Sequence, residues 1–376
     1  MKEIMKLKPA ALRGKTVLVR VDYNVPLVSG KVADDFRIRA SLPLLRHLRK
    51  CGARAVLVGH LEVGGKTPSL RPVAAHLKKI GLKNLVFIPG QITPAIINAA
   101  RAAKADVILL DNLRLDKGEV KNDKNYAKLL AACGDIYVND AFSVSHRAHA
   151  SVVGVPKFLP SYAGPLFMRE VSALRKILRP PHPALAILGG NKISTKIAVI
   201  KSLLRNVDRI FVGGAMANIF IKLLGYEIGR SFIEAGSEKF ARALLENKKI
   251  ILPVDVIVES GGRWMNKKIS EIGGEDKIYD MGPLTAAILN KEVARAKLTM
   301  WNGPLGWVEA GFTQGSLTVA KMLASAKGET IVGGGDTVAF LEHAKLAKKF
   351  DFVSTGGGAM LDFIANGTLP GIEVLK

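Results

Sequence analysis

Residues able to hold and transfer a charged group recur at one kind of place in this sequence, just after short apolar runs rich in Val, Ile and Leu. In the first half these run ends carry Asp22 and Asn24, His60, Arg114, and then Asn139, Asp140, His146, Arg147 and His149. Arginine offers a forked donor to phosphate or carboxylate, and Asp and Asn accept from a hydroxyl. In the second half they carry Gly189, Gly190, Lys192 and Lys196, then Gly213 and Gly214, then Asn302 and Gly303. Further on come Gly333, Gly334, Gly335, Asp336 and Thr337, and finally Thr355, Gly356, Gly357 and Gly358. Backbone N–H groups at helix N-termini bind phosphate, and glycine lets a ligand come close. The first set therefore reads as a site for a small anionic substrate, the second as a site for a polyphosphate nucleotide. A cleft between two such halves implies phosphoryl transfer.

Each feature also has a plainer explanation. Glycine runs after strands serve close packing or tight turns as readily as phosphate. Lys192 and Lys196 lie four apart, on one face of a helix start. Positive charge there opposes the helix end, so a bound anion is the better account. Asp336 fits a helix N-cap and a metal ligand equally well. Arg37, taken alone, reads as a solvated helix residue. His146 and His149 have a spacing seen in metal sites but lack a third ligand, which argues against zinc. Cys51 and Cys133 have no catalytic partner pattern. Gly65-Lys66-Thr67 resembles the end of a Walker A loop, but His60 stands where that loop needs glycine. No G-x-G-x-x-G, G-x-S-x-G or protein-kinase catalytic loop occurs, so a dinucleotide oxidoreductase is disfavoured.

The elements that must position these residues are legible from hydrophobic periodicity. Apolar runs cover 15–21, 54–58, 85–88, 106–110 and 135–138 in the first half. In the second they cover 184–188, 209–212, 254–258, 297–301, 330–332 and 351–353. Continuous apolar runs predict strands buried on both faces, as in parallel sheets. Periodic stretches between them, such as 37–50, 194–204 and 316–326, predict helices. The alternation gives an α/β fold with right-handed crossovers. So many strands suit two doubly wound (Rossmann-like) parallel-sheet domains better than one. The proline-rich stretch 156–183, with one helical segment at 166–178, is expected to link them. The expected division is 1–163, a linker helix at 164–183, 184–355, and a C-terminal tail at 356–376.

Composition agrees. A chain of 376 residues suggests two domains at roughly 150 residues each. Its 48% hydrophobic and 23% charged content excludes a disordered or fibrous chain. No window approaches the ~18 consecutive apolar residues of a membrane span. The first 15 residues lack the apolar core and cleavage site of a secretory signal. Two cysteines fit a reducing compartment, so a cytoplasmic location is expected. The net charge of +23 favours anionic partners. The Lys and Arg residues are spread along the chain without aromatic interleaving, so at most nonspecific adhesion to nucleic acid is expected.

These residues resemble the phosphoglycerate kinase family. The resemblance rests on nine collinear stretches: 19–26 (VRVDYNVP), 37–43 (RIRASLP), 109–114 (LLDNLR), 137–154 (YVNDAFSVSHRAHASVVG), 187–196 (ILGGNKISTK), 212–218 (VGGAMAN), 301–309 (WNGPLGWVE), 333–337 (GGGDT) and 353–361 (VSTGGGAML). It implies reversible phosphoryl transfer between ATP and 3-phospho-D-glycerate, giving ADP and 1,3-bisphosphoglycerate, with Mg²⁺. By that resemblance Asp22 and Asn24 hold the glycerate, and Arg37, His60, Arg114 and Arg147 form a basic patch. Lys192 and Lys196 meet the nucleotide phosphates, with Gly190, Gly214 and Gly334 in the same loops. Asn302 and Glu309 lie around the nucleoside, and Asp336 sits by the metal with Thr337 beside it. Arg37, Lys192, Lys196, Gly335 and Gly358 are the implied catalytic set, Arg37 reaching in when the lobes close. The family is bilobal and usually monomeric, its C-terminal tail returning to the N-domain. The chain departs after His60, where Leu-Gly-Arg-Pro is usual and Leu61, Glu62, Val63 and Gly64 stand instead. Lower substrate affinity is expected there, with Lys66 a possible substitute. Ala215 replaces a common Gly, and 143–145 replaces Gly-Thr-Ala. Two alternatives stay open: a diverged paralogue acting on another phosphorylated acid, and a basic nucleic-acid-binding protein that retains the fold.

Overall fold

A computed structural model describes all 376 residues. The chain forms two compact units, residues 1–171 with 368–376, and residues 172–367. The boundary falls inside the helix Pro165–Leu178. The tail divides too: the helix Gly358–Asn366 belongs to the second unit, burying Ala359, Met360, Phe363 and Ile364, and only residues from Thr368 on join the first. There Gly371 N–H donates to the Ser145 carbonyl at 2.9 Å.

The first unit is built on six parallel strands: β1 Thr16–Arg20, β2 Arg54–Val58, β3 Leu85–Ile88, β4 Val107–Leu110, β5 Ile136–Asn139 and β6 Ser161–Ala163. Their order is β3-β4-β2-β1-β5-β6. Alternate residues feed two cores. Val17, Val19, Ala55 and Leu57 pack on one face, and Leu18, Val56, Val58 and Ile108 on the other. That double burial is why these strands read as unbroken apolar runs. The strand β6 lies in the proline-rich stretch and has no such run.

Asp140, at the end of β5, ties the sheet to the next helix. Its Oδ1 accepts from Leu166 N–H at 2.8 Å and Phe167 N–H at 3.2 Å, while its buried Oδ2 has no partner. Burial raises its pKa from 3.8 to about 7, against the opposing pull of those two N–H groups. The folded state thus holds this proton more tightly than the unfolded chain does. The contribution of Asp140 to stability is therefore full below about pH 4 and is lost as pH rises through about 7. Asp140→Asn is expected to remove that slope, so the variant gains on wild type between pH 5 and pH 8 in denaturant titrations. A stability difference independent of pH would show that Asp140 titrates normally.

The second unit has a six-stranded parallel sheet and a three-stranded antiparallel one. In chain order its strands are β7 Ala184–Leu188, β8 Arg209–Val212, β9 Ile250–Ile251, β10 Asp255–Ser260, β11 Arg263–Lys268, β12 Lys277–Met281, β13 Leu298–Asn302, β14 Glu329–Gly333 and β15 Phe352–Val353. The parallel order is β9-β8-β7-β13-β14-β15, so the winding reverses between β7 and β13. Ligands of open α/β sheets bind at such a reversal, beyond the strand ends. One expectation fails here. The run at 254–258 is a strand, but it pairs antiparallel with β11 and β12 instead of joining the parallel sheet. The excursion turns on Gly261-Gly262, whose φ angles of 56° and 77° suit a two-residue hairpin. No helix is long and apolar enough to cross a membrane.

Candidate active site

The carboxyl ends of β1, β2, β4 and β5 gather the predicted anion-binding residues of the first unit. Asp22 is nearly buried and accepts from Arg37 at 3.0 Å and from the Ser143 hydroxyl at 2.7 Å. Arg37, second residue of the helix Phe36–Lys50, also donates to the Asn24 carbonyl at 3.3 Å. Arg20, buried at the end of β1, was not foreseen. It donates to Ser151 Oγ at 2.9 Å, to the Val21 carbonyl at 2.7 Å and to His60 Nδ1 at 3.2 Å. A guanidinium can only donate, so His60 Nδ1 must accept and the ring proton sits on Nε2. Burial, then Arg20, Arg114, Arg147 and His149, push the His60 pKa far down, so the ring stays neutral.

The patch carries surplus positive charge. Burial, then Arg147 and Arg20, lower the Arg114 pKa. Burial, then Arg114, Arg147, Arg20 and His146, lower that of His149 to about 4. Two carboxylates face these cations. Glu119 is fully buried and accepts from Ser151 N–H at 2.9 Å and Oγ at 2.5 Å. Glu62 pairs with Arg114. Four guanidiniums, those of Arg20, Arg37, Arg114 and Arg147, against the three carboxylates of Asp22, Glu62 and Glu119 make a part-buried site suited to an anion.

In the second unit a cavity of about 490 Å³ opens beyond the ends of the parallel strands. Gly190, Gly214, Glu309 and Asp336 line it, as do Asn218, Lys277, Tyr279, Asp280 and Trp307, which the sequence did not single out. Lys196 Nζ lies 3.6 Å from the place a Cβ on Gly190 would take. Burial lowers its pKa, and Asp336 opposes that shift. Lys196, Gly190 and Asp336 are thus neighbours. Lys192 is exposed and lies near Glu234, whose carboxylate accepts from Ser194 N–H at 2.9 Å. The two lysines do not share a helix face. Residues 194–196 form a 3₁₀ turn, and the α-helix begins at Ile197.

The glycine loops divide by role. Gly189 and Gly303 sit backbone against backbone across β7 and β13, so their missing side chains serve packing. Gly335 and Gly358 open helices whose first N–H groups no side chain caps. A Cβ on Gly335 would meet nothing within 4 Å, so its face is open to a ligand. Asn302 and Thr337 are buried and tie the loops together. Asn302 Nδ2 donates to the Gly333 carbonyl at 2.9 Å, and Thr337 Oγ1 accepts from Gly303 N–H at 2.8 Å.

An anion patch on one Rossmann-like unit and a cavity lined by glycines, a lysine and a carboxylate on another define a two-domain phosphotransferase class. The family model described as phosphoglycerate kinase matches residues 7–367. Curated phosphoglycerate kinases from Thermus thermophilus and Coprothermobacter proteolyticus are 43% and 42% identical, covering 100% and 99% of both chains. The solved phosphoglycerate kinase of Coxiella burnetii superposes with a TM-score of 0.88 at 37% identity, over 99% of this chain and 98% of that one. That of Pyrococcus horikoshii gives 0.88 at 28% identity, over 100% and 98%. This chain belongs to the phosphoglycerate kinase family, and it is a kinase.

Proposed function

We propose that the chain reversibly transfers the γ-phosphoryl group of ATP to the carboxylate of 3-phospho-D-glycerate, in glycolysis and gluconeogenesis. The observation that carries this reading is the surplus of guanidinium groups over carboxylates in the patch, matched to a substrate with a phosphate and a carboxylate. The attacking carboxylate oxygen bonds to the γ-phosphorus as the β–γ bridging bond breaks, and its electrons leave with ADP. The acceptor is already deprotonated, so no general base is required. Positioning and charge neutralisation do the catalysis. Arg37, Arg114, Arg147 and the Nε2–H of His60 hold the acid, with Asp22 and Asn24 at its hydroxyl. Lys196 and the N–H groups at Gly335 and Gly358 face the transferred phosphoryl oxygens, with Lys192 at the loop that precedes Lys196.

The donor set fits Mg²⁺ carried with the nucleotide. No group of three or more Asp, Glu, His or Cys forms a protein cage. Asp336 offers one exposed carboxylate in the cavity, and Mg²⁺ commonly takes one or two carboxylates plus phosphate oxygens. Asp336 would hold the ion, which when bound would supply positive charge against the nucleotide phosphates. Asp336→Ala is expected to raise the Mg²⁺ concentration needed for half-maximal turnover. An unchanged Mg²⁺ titration would reduce Asp336 to a helix-start residue. The two free cysteines, both buried, suit a reducing cytoplasm, and the family habit supports a monomer. Turnover of ATP with 3-phosphoglycerate in a coupled assay tests the whole reading. Saturable turnover requiring both is expected, and turnover with a different phosphorylated acid alone would overturn it.

A further inference from the structure

The loop after β2 places a carboxylate inside the anion patch by construction. Val63 and Lys66 exchange backbone hydrogen bonds of 2.9 and 3.0 Å around Gly64 and Gly65, whose φ angles of 56° and 75° make a tight reversal. Asn112 Nδ2 donates to the Leu61 and Pro68 carbonyls, each at 2.7 Å, and pins both ends. Asn24 Oδ1 accepts from Glu62 N–H at 2.9 Å. Val63 packs on the core beneath, so Glu62 is the side chain this loop presents to the patch. The partner is fixed as well, since Arg114 N–H donates to Asn112 Oδ1 at 3.1 Å. One asparagine therefore registers both members of the Glu62–Arg114 ion pair. The Arg114 side chain is only 10% exposed, whereas that of Glu62 is 44% exposed and free to swing out.

We propose that Glu62 is a tethered competitor of the substrate. Its carboxylate shares Arg114 with the incoming anionic group and thereby sets the affinity of the patch. This rests on the reading that the patch binds 3-phosphoglycerate. Binding exchanges one charge-assisted pair for another, so the net gain from Arg114 is small while Glu62 is present. The carboxylate acts on binding alone, because it leaves the guanidinium before the acid is seated.

The test is calorimetric titration of the full-length protein with 3-phosphoglycerate at low salt, for wild type, Glu62→Gln, Arg114→Met and the double variant. Glu62→Gln is expected to tighten binding about five-fold, as suits a partly exposed pair. It should lower KM by a similar factor and leave kcat unchanged, the mark of a uniform binding effect. In the Arg114→Met background the same change should do nothing, because its partner is gone. If Glu62→Gln matches wild type while Arg114→Met binds more weakly, the competitor role is overturned and the substrate site stands. An equal gain from Glu62→Gln in both backgrounds would also overturn it, leaving a general field effect. If neither single variant alters binding, the patch is not the substrate site and both readings fall.

Discussion

Lys196→Ala is expected to lower turnover by about 10²–10³, a loss of about 3–4 kcal/mol of transition-state stabilisation. The ammonium stands beside Gly190, at the strand end where the sheet order reverses, and next to Asp336. It is partly buried, so its interaction with charge developing on the transferred phosphoryl oxygens is screened less than in water. Burial also lowers its pKa. The charged form is the working form, so turnover should fall as pH rises through a value below that of free lysine. Alanine removes the group and with it the alkaline limb, while Lys196→Arg keeps the charge and moves the limb up. Nucleotide affinity should change far less than kcat. Rate against pH for the three proteins decides the matter, and an alanine variant with more than half the wild-type turnover would remove Lys196 from the mechanism.

That lysine was visible in the sequence, but its setting was not. Its spacing from Lys192 suggested a shared helical face, yet Glu234 shapes the preceding segment into a 3₁₀ turn from 40 residues away. The parallel strands were legible because burial on both faces writes an unbroken apolar run. The exposed strand β11 writes none, and only Gly261-Gly262 marked its hairpin. Run ends located the residues that gather in the arginine-rich patch, since a parallel sheet brings its carboxyl ends together whatever lies between. Arg20 escaped because a buried charge inside a strand has no periodic signature. Its reason for being there is the Ser151–Glu119 pair, more than 90 residues away in sequence. The glycines were the least legible. Packing glycines and ligand-facing glycines have the same letter, and only the neighbours of the missing Cβ separate them.

Gly303→Ala is expected to destabilise the second unit by about 3–5 kcal/mol. Two independent costs meet at this residue. Its φ is 96°, a conformation that L side chains rarely adopt. A Cβ there would lie 2.3 Å from the Gly189 carbonyl oxygen and 2.5 Å from its carbon, and both are backbone atoms. The neighbourhood offers no relaxation. Gly189 N–H donates to the Asn302 carbonyl at 2.9 Å and Gly190 N–H to the Pro304 carbonyl at 2.8 Å. Trp301 Nε1 donates to the Gly303 carbonyl at 2.8 Å, and Gly303 N–H to Thr337 Oγ1 at 2.8 Å. Moving Gly303 therefore disturbs β7, β13 and the helix carrying Asp336 together. Urea unfolding followed by tryptophan fluorescence reads this directly, since Trp301 is fully buried beside the site. The matching control is Gly335→Ala, where an added Cβ meets no atom within 4 Å. That variant should unfold within about 0.5 kcal/mol of wild type while binding nucleotide more weakly, because the new methyl faces the ligand. If Gly303→Ala unfolds within about 1 kcal/mol of wild type, the strand ends at the reversal are not in backbone contact. The cavity beyond them would then lack the rigid floor on which Lys196 and Asp336 depend.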